Sequence, residues 1–308
     1  MDFMLHIMNT MKLSKKTCLY ILMFFVLSNT ANSADRVLLT IAPKAIYQGS
    51  VACVTLKGAD ISSAILEQNR QRPAMFYHDN GTGALRSIIG IDLEEEQGEK
   101  TMAVTVTLAH GEKQNRTLTY TVLKKKFPTQ QLTLPESQVT PNPENEARIE
   151  REHEAVKKIL GGSVQEKLWD KSFMQPIPGE PVTVFGMRRF MNGLPKNPHT
   201  GIDMKAPAGM PVAASADGIV VFTGEHFFSG NSVFIDHGAG ICTMYFHLAS
   251  IAVQAGQRVK QGDTIGAVGS TGRSTGPHLH WGVRINNQRI DPLALVSLFK
   301  KQQVKDTP

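Results

Sequence analysis

Short runs of hydrophobic and β-branched residues, separated by turn formers, recur along most of this chain. Residues 36–41, 50–56, 102–108 and 116–122 are rich in Val, Leu, Ile and Thr, with apolar and polar positions alternating in 102–108. Period-2 alternation is the mark of a strand with one buried face. Asn80-Gly81 is a hairpin-type turn dipeptide. The chain class expected is mainly β, and residues 34–126 are expected to form a small antiparallel β-sandwich of immunoglobulin-like type.

A different pattern occupies residues 144–160. Good helix formers run throughout, with apolar positions at Ile149, Val156, Ile159 and Leu160 and a Gly161-Gly162 stop. This predicts a helix inside a polar, Pro-bearing linker over 127–175. Short β-type runs then resume at 181–185, 212–214, 218–223, 232–235, 241–247, 264–268 and 279–285, with Gly and Pro at most joints. They predict a second β domain over 176–298, followed by a polar tail at 299–308.

The first residues have their own pattern. Lys12, Lys15 and Lys16 precede an apolar run at 18–27, and Ala31, Ser33 and Ala34 follow. A basic flank, a short apolar segment and small exit residues predict a secretory signal peptide over 1–33. The run is about ten residues, too short to span a bilayer core. No stable membrane insertion is therefore expected after cleavage.

Charge narrows the partners. The 308-residue chain carries a formal +6, without a dense Lys/Arg block. That excludes a dedicated nucleic-acid binder and remains compatible with a polyanionic wall. Cys53 and Cys242, the two cysteines beyond the signal segment, fall in different predicted domains and read as buried thiols rather than a disulfide framework.

Six of the ten histidines lie between His199 and His280. His199-Thr-Gly-Ile-Asp203 contains Gly and β-branched residues, which disfavour a helix. In an extended segment, positions four apart share a face, so the imidazole and carboxylate can converge. His278-Leu-His280 sends both rings from one strand face, with Leu279 on the other. A catalytic zinc takes three N/O ligands and keeps one position open, and imidazoles outside that set suit proton handling near neutrality. Spacing alone leaves open which histidines are ligands. His78 and His110 read as solvated loop residues, and His226 and His237 as unrelated structural or surface residues flanking turns. His153-Glu154 begins like a HExxH helix, but Lys157 stands where the second His is needed.

Several ordered segments carry a family resemblance. They are Phe185-Gly-Met-Arg188, His199-Thr-Gly-Ile-Asp203, Tyr245-Phe-His-Leu248 and Gly269-Ser-Thr-Gly-Arg-Ser-Thr-Gly-Pro-His-Leu-His280. Together with 206–213, 231–238 and 262–266 they resemble the lysostaphin-type (LytM-like) zinc endopeptidase family, secreted Gram-negative type, over about residues 181–295. The resemblance implies an antiparallel β-sheet peptidase domain and one Zn²⁺ held by His199, Asp203 and His280, with His247 and His278 as catalytic groups. It implies hydrolysis of peptide bonds in peptidoglycan stems or cross-links. The signal peptide without a wall-anchoring module adds the expectation of a Gram-negative periplasm, where the bond is D-alanyl-diaminopimelate. Trp281-Gly282 departs from the aromatic-acidic pair that usually follows HxH in the family. Two other classes are weighed. A catalytically silent regulator of another wall hydrolase would have lost some of the five positions, all occupied here. A lipoyl- or biotinyl-type carrier resembles residues 256–263 but needs a Met-Lys-Met hairpin tip, which the chain lacks.

Overall fold

The computed structural model describes residues 37–67, 73–79, 82–133 and 135–305. The signal segment and the Asn80-Gly81 turn lie outside the described residues.

The N-terminal runs form two sheets. Leu38–Ala42, Val51–Lys57, Leu85–Gly90 and Tyr77–His78 make an antiparallel four-stranded sheet. Ala45–Tyr47, Lys113–Leu123, Gly98–Leu108, Ile61–Glu67 and Ala74–Met75 make a five-stranded one. The alternation read at 102–108 is real. Met102, Val104, Val106 and Leu108 are buried, and the residues between them are not. One edge departs from the antiparallel expectation, because Ala45–Tyr47 pairs parallel to Lys113–Leu123. A three-residue edge strand has too short a pattern to announce its direction.

The helix forms at Pro143–Gly161. The Asn142 side chain accepts the Asn145 N–H at its start, Pro143 occupies the first turn, and Gly162 follows its end. Val156, Ile159 and Leu160 pack on Phe234, Cys242 and Met244, fastening the helix to one face of the C-terminal sheet. Cys242 and Cys53 are both buried thiols. Just before the helix, Thr129–Leu132 pairs parallel with Arg188–Met191, which forms a hairpin with Leu194–Lys196.

The C-terminal sheet has the strand order Gly201–Lys205, His278–Ile285, Ile241–Ile251, Gly230–Asp236, Gly218–His226, Arg258–Val259. Residues 181–185, expected as a strand, supply only a Thr183–Asp203 bridge. Pro181 offers no N–H for a ladder, and Phe185 turns inward into the core just before the chain reverses at Gly186, φ 79°. Helix Pro292–Lys305 closes the described chain. None of the described helices is long and apolar enough to cross a membrane.

One buried cluster joins the two sheet regions. Val51 and Ile88 from the N-terminal strands and Leu93 just after them share it with Trp169, Phe173, Tyr245 and Trp281. The seam is also ionic: Arg289 donates from Nε and Nη2 to the Asp92 carboxylate, Nε at 3.0 Å.

Candidate metal centre

Register brings the site together. In the antiparallel pair Gly201–Lys205 with His278–Ile285, Asp203 stands opposite His280 and Lys205 opposite His278. His199 lies two residues ahead of the first strand, held by its N–H to Met187 O and its carbonyl to Gly186 N. The result is three donor atoms around one point. His199 Nε2 lies 2.9 Å from Asp203 Oδ1 and 2.8 Å from His280 Nδ1, and His280 Nδ1 lies 2.9 Å from Asp203 Oδ1. All three residues are buried.

Gly201 is required for this closeness. A Cβ there would sit 2.4 Å from Trp281 O and 2.6 Å from His280 Nε2. The His280 ring is held from its other side by Phe246, stacked at 5.0 Å between centroids and 4° between planes. Trp281 and Leu279 point into the core, fully buried, so HxH behaves as alternation predicts.

The donor set fits a metal. His199 donates its Nδ1–H to Val184 O at 3.1 Å, which leaves Nε2 with a lone pair aimed at the cluster. Two ring nitrogens and a carboxylate oxygen converging this tightly are electron-pair donors crowded around one point, an arrangement a cation stabilises. Two imidazoles, one carboxylate and no thiolate match zinc at an open site. Burial acts to raise the Asp203 carboxyl, but the imidazoles of His199 and His280 outweigh it and hold it far below the usual carboxylate range. Burial pushes His280 down to about 4, so its ring is neutral at physiological pH.

His247 and His278 flank the cluster. Their ring centroids are 4.7 Å apart, and His278 Nε2 lies 3.8 Å from Asp203 Oδ1. Each ring donates its Nδ1–H to a loop carbonyl: His247 to Thr271 O at 2.8 Å, His278 to Gly276 O at 2.8 Å. Both acceptors belong to the Gly/Ser/Thr-rich loop at 269–276, and both contacts leave Nε2 available. His247 has φ 62°, a left-handed backbone in the strand Ile241–Ile251. Where that strand pairs with Gly230–Asp236 the register shifts: Val233 faces Tyr245 and Asn231 faces Leu248. The extra residue is a bulge that re-aims the His247 ring, while Tyr245 and Leu248 stay buried in the core. Burial, with a smaller effect from His280, pushes His247 down to about 3.

The remaining histidines stand apart. His237 is fully buried between Asp217 O (2.7 Å) and Thr243 Oγ1 (2.8 Å), a structural role. His226 stacks on Phe222 at the end of its strand. His110 is exposed beside Glu112, and His78 is exposed.

One site residue went unread in the sequence. Arg189 Nη2 lies 3.0 Å from Asp203 Oδ2, the carboxylate oxygen turned away from the cluster. Its approach depends on the hairpin at 188–196, which no local pattern at Arg188-Arg189 announces.

Comparison with known proteins agrees with this geometry. Peptidase family M23 matches residues 197–292, the stretch that holds all five candidate residues. The DD-carboxypeptidase/endopeptidase Mpg of Neisseria meningitidis is 53% identical over 97 residues, 32% of this chain and 22% of that protein. The peptidoglycan DD-endopeptidase ShyA of Vibrio cholerae is 45% identical over 96 residues, 31% of this chain and 22% of that protein. The matched stretch thus spans about a fifth of these relatives. A solved structure of an M23-type peptidase from Pseudomonas aeruginosa is similar over most of both chains. It is 30% identical, covers 82% of this chain and 96% of that one, and superposes with a TM-score of 0.66. The protein belongs to peptidase family M23.

Proposed function

We propose that this protein is a zinc-dependent peptidase that hydrolyses peptide bonds in peptidoglycan stems or cross-links, the D-alanyl-diaminopimelate bond foremost. The observation that carries the reading is the convergence of His199 Nε2, Asp203 Oδ1 and His280 Nδ1 within 2.9 Å of one another, with His247 and His278 beside them. The similarity to proteins named as DD-endopeptidases supports the substrate class. The signal-type N-terminus and the wall substrate support export to the periplasm.

His199, Asp203 and His280 would hold zinc. When bound there, zinc supplies Lewis-acid chemistry, acidifying water and polarising a peptide carbonyl. The other steps fall to the chain. No HExxH glutamate is present, so proton handling belongs to His247 and His278. With Nδ1–H fixed on a backbone carbonyl, each offers Nε2 at the reacting atoms in a set tautomer. His247 Nε2, a lone pair in this tautomer, would accept a proton, and His278, once its Nε2 carries a proton, would donate it as a hydrogen bond to charge developing on the scissile carbonyl oxygen. Arg189 holds the second oxygen of Asp203, fixing which oxygen faces the site.

Metal analysis of the purified chain, followed by digestion of isolated sacculi, tests the proposal. Zinc at about one per chain and chelator-sensitive release of cleaved cross-links are expected. A metal-free chain that releases nothing would favour a non-enzymatic regulator of another wall hydrolase.

A further inference from the structure

A recess opens beside Arg189. It is a cavity of about 420 Å³ between the hairpin at 188–196 and the segment that leaves the N-terminal sheets. Lys124, Lys125, Arg188, Arg189 and Lys196 line it, against a single acid, Glu94. That acid is already engaged, because its Oε2 accepts from Arg289 Nη2 at 2.7 Å. Of the cations, Lys125 pairs with Asp291 at 3.2 Å and Lys196 donates to the uncharged Val139 carbonyl at 2.9 Å. Arg188 and Lys124 are exposed and have no carboxylate partner among the described residues. Arg189 belongs both to this recess and to the surroundings of the metal centre. Its Nη2 touches Asp203, while its buried Nε has no hydrogen-bond partner.

Five cationic groups gathered in one concavity repel one another and favour an anion. Phe127 and Phe190 add apolar wall, as a recess that receives part of a larger molecule requires. The cavity adjoins the metal centre through one guanidinium, so a peptide whose scissile bond lies at His199, Asp203 and His280 has a basic recess beside it.

We infer that this cavity is an anion subsite that receives a free carboxylate of the substrate peptide, with Arg188 and Lys124 as its principal specificity determinants. The inference rests on the peptidase reading and deepens it. A diaminopimelate-containing stem carries such carboxylates, and a guanidinium can take one through paired hydrogen bonds. The subsite would select acidic stems over amidated ones and set which side of the bond lies toward the N-terminal sheets.

The test uses the zinc-loaded full chain and two synthetic cross-linked peptides, identical except that the free carboxylates of one are amidated. The wild type is expected to favour the carboxylate peptide by about tenfold in kcat/KM, chiefly through KM, as charge-assisted contacts are lost on amidation. Arg188→Gln with Lys124→Gln is expected to erase most of that preference. Equal use of both peptides by the wild type, or an undiminished preference in the double variant, overturns the subsite. Calorimetry with the uncross-linked carboxylate peptide reads binding without turnover. It is expected to weaken about tenfold in the double variant, and unchanged affinity overturns the subsite. Inorganic phosphate is the competing arm: if it displaces the peptide at similar concentration, the cavity is a general anion site and the carboxylate assignment fails. Cleavage of neither peptide by the wild type, alongside intact binding, would fail the peptidase reading and leave the subsite standing.

Discussion

Asp203 and His280 face each other across adjacent antiparallel strands, and the carboxylate Oδ1 and imidazole Nδ1 are 2.9 Å apart. The pair joins two motifs 77 residues apart in sequence. Its spacing depends on Gly201, two residues before Asp203, whose missing side chain admits the His280 ring.

Gly201→Ala tests that dependence. The added methyl meets backbone oxygen at Trp281 as well as the ring, so the strand pair has to move. A stability loss of about 1–3 kcal/mol is expected, together with weaker zinc retention on dialysis against chelator. A variant that melts and holds metal like the wild type would show that the close approach is immaterial.

His247 offers a second test through its backbone. At φ 62° an L side chain is strained by about 1–2 kcal/mol. His247→Gly is therefore expected to be more stable than His247→Ala by about 1 kcal/mol, the reverse of the usual order in a strand. Both should be inactive with zinc bound. Equal melting temperatures for the two would argue against the bulge as the device that aims the ring.

Much of this was readable beforehand. HxH places two side chains on one face by strand periodicity, the closeness of His199 to Asp203 follows from their short separation in sequence although His199 precedes the strand, and the helix at 143–161 was written in its apolar spacing and Gly stop. What the sequence did not show are relations made by pairing. The parallel edge at Ala45–Tyr47, the Arg189–Asp203 contact and the bulge at His247 depend on which strands become neighbours. Local patterns carry no information about that. His237, read as a structural or surface residue, is the structural case, its ring sealed by Asp217 O and Thr243 Oγ1.

His237 sets an acid dependence of stability. Burial pushes its folded value down to about 4, against about 6.5 for an unfolded imidazole. The unfolded state therefore binds more protons between those values, and stability is lost as pH falls from about 6.5 toward 4. The loss is on the order of 3 kcal/mol. Chemical denaturation at pH 7.5 and pH 5 reads about 2 kcal/mol of it, with His237→Gln expected to flatten the slope. An unchanged slope in that variant would assign the pH dependence elsewhere.

The seam between the sheets responds at lower pH. Burial works against ionised Asp92, but hydrogen bonds from the Arg289 side chain and backbone outweigh it and keep the carboxyl below its usual range. Its contribution is present above about pH 4 and lost as pH falls through the lowered folded value. Asp92→Asn is expected to cost about 1–3 kcal/mol at neutral pH, measured by urea denaturation. A neutral effect would mean that the Asp92–Arg289 pair does not hold the seam.

The most direct measurement is mass spectrometry of muropeptides released from isolated sacculi by the zinc-loaded wild type and by zinc-loaded His278→Ala. The account predicts cleaved D-alanyl-diaminopimelate cross-links with the wild type, and the same zinc content with product release reduced at least about a hundredfold in the variant. Release by His278→Ala at the wild-type rate, or intact cross-links after treatment with zinc-loaded wild type, would contradict it.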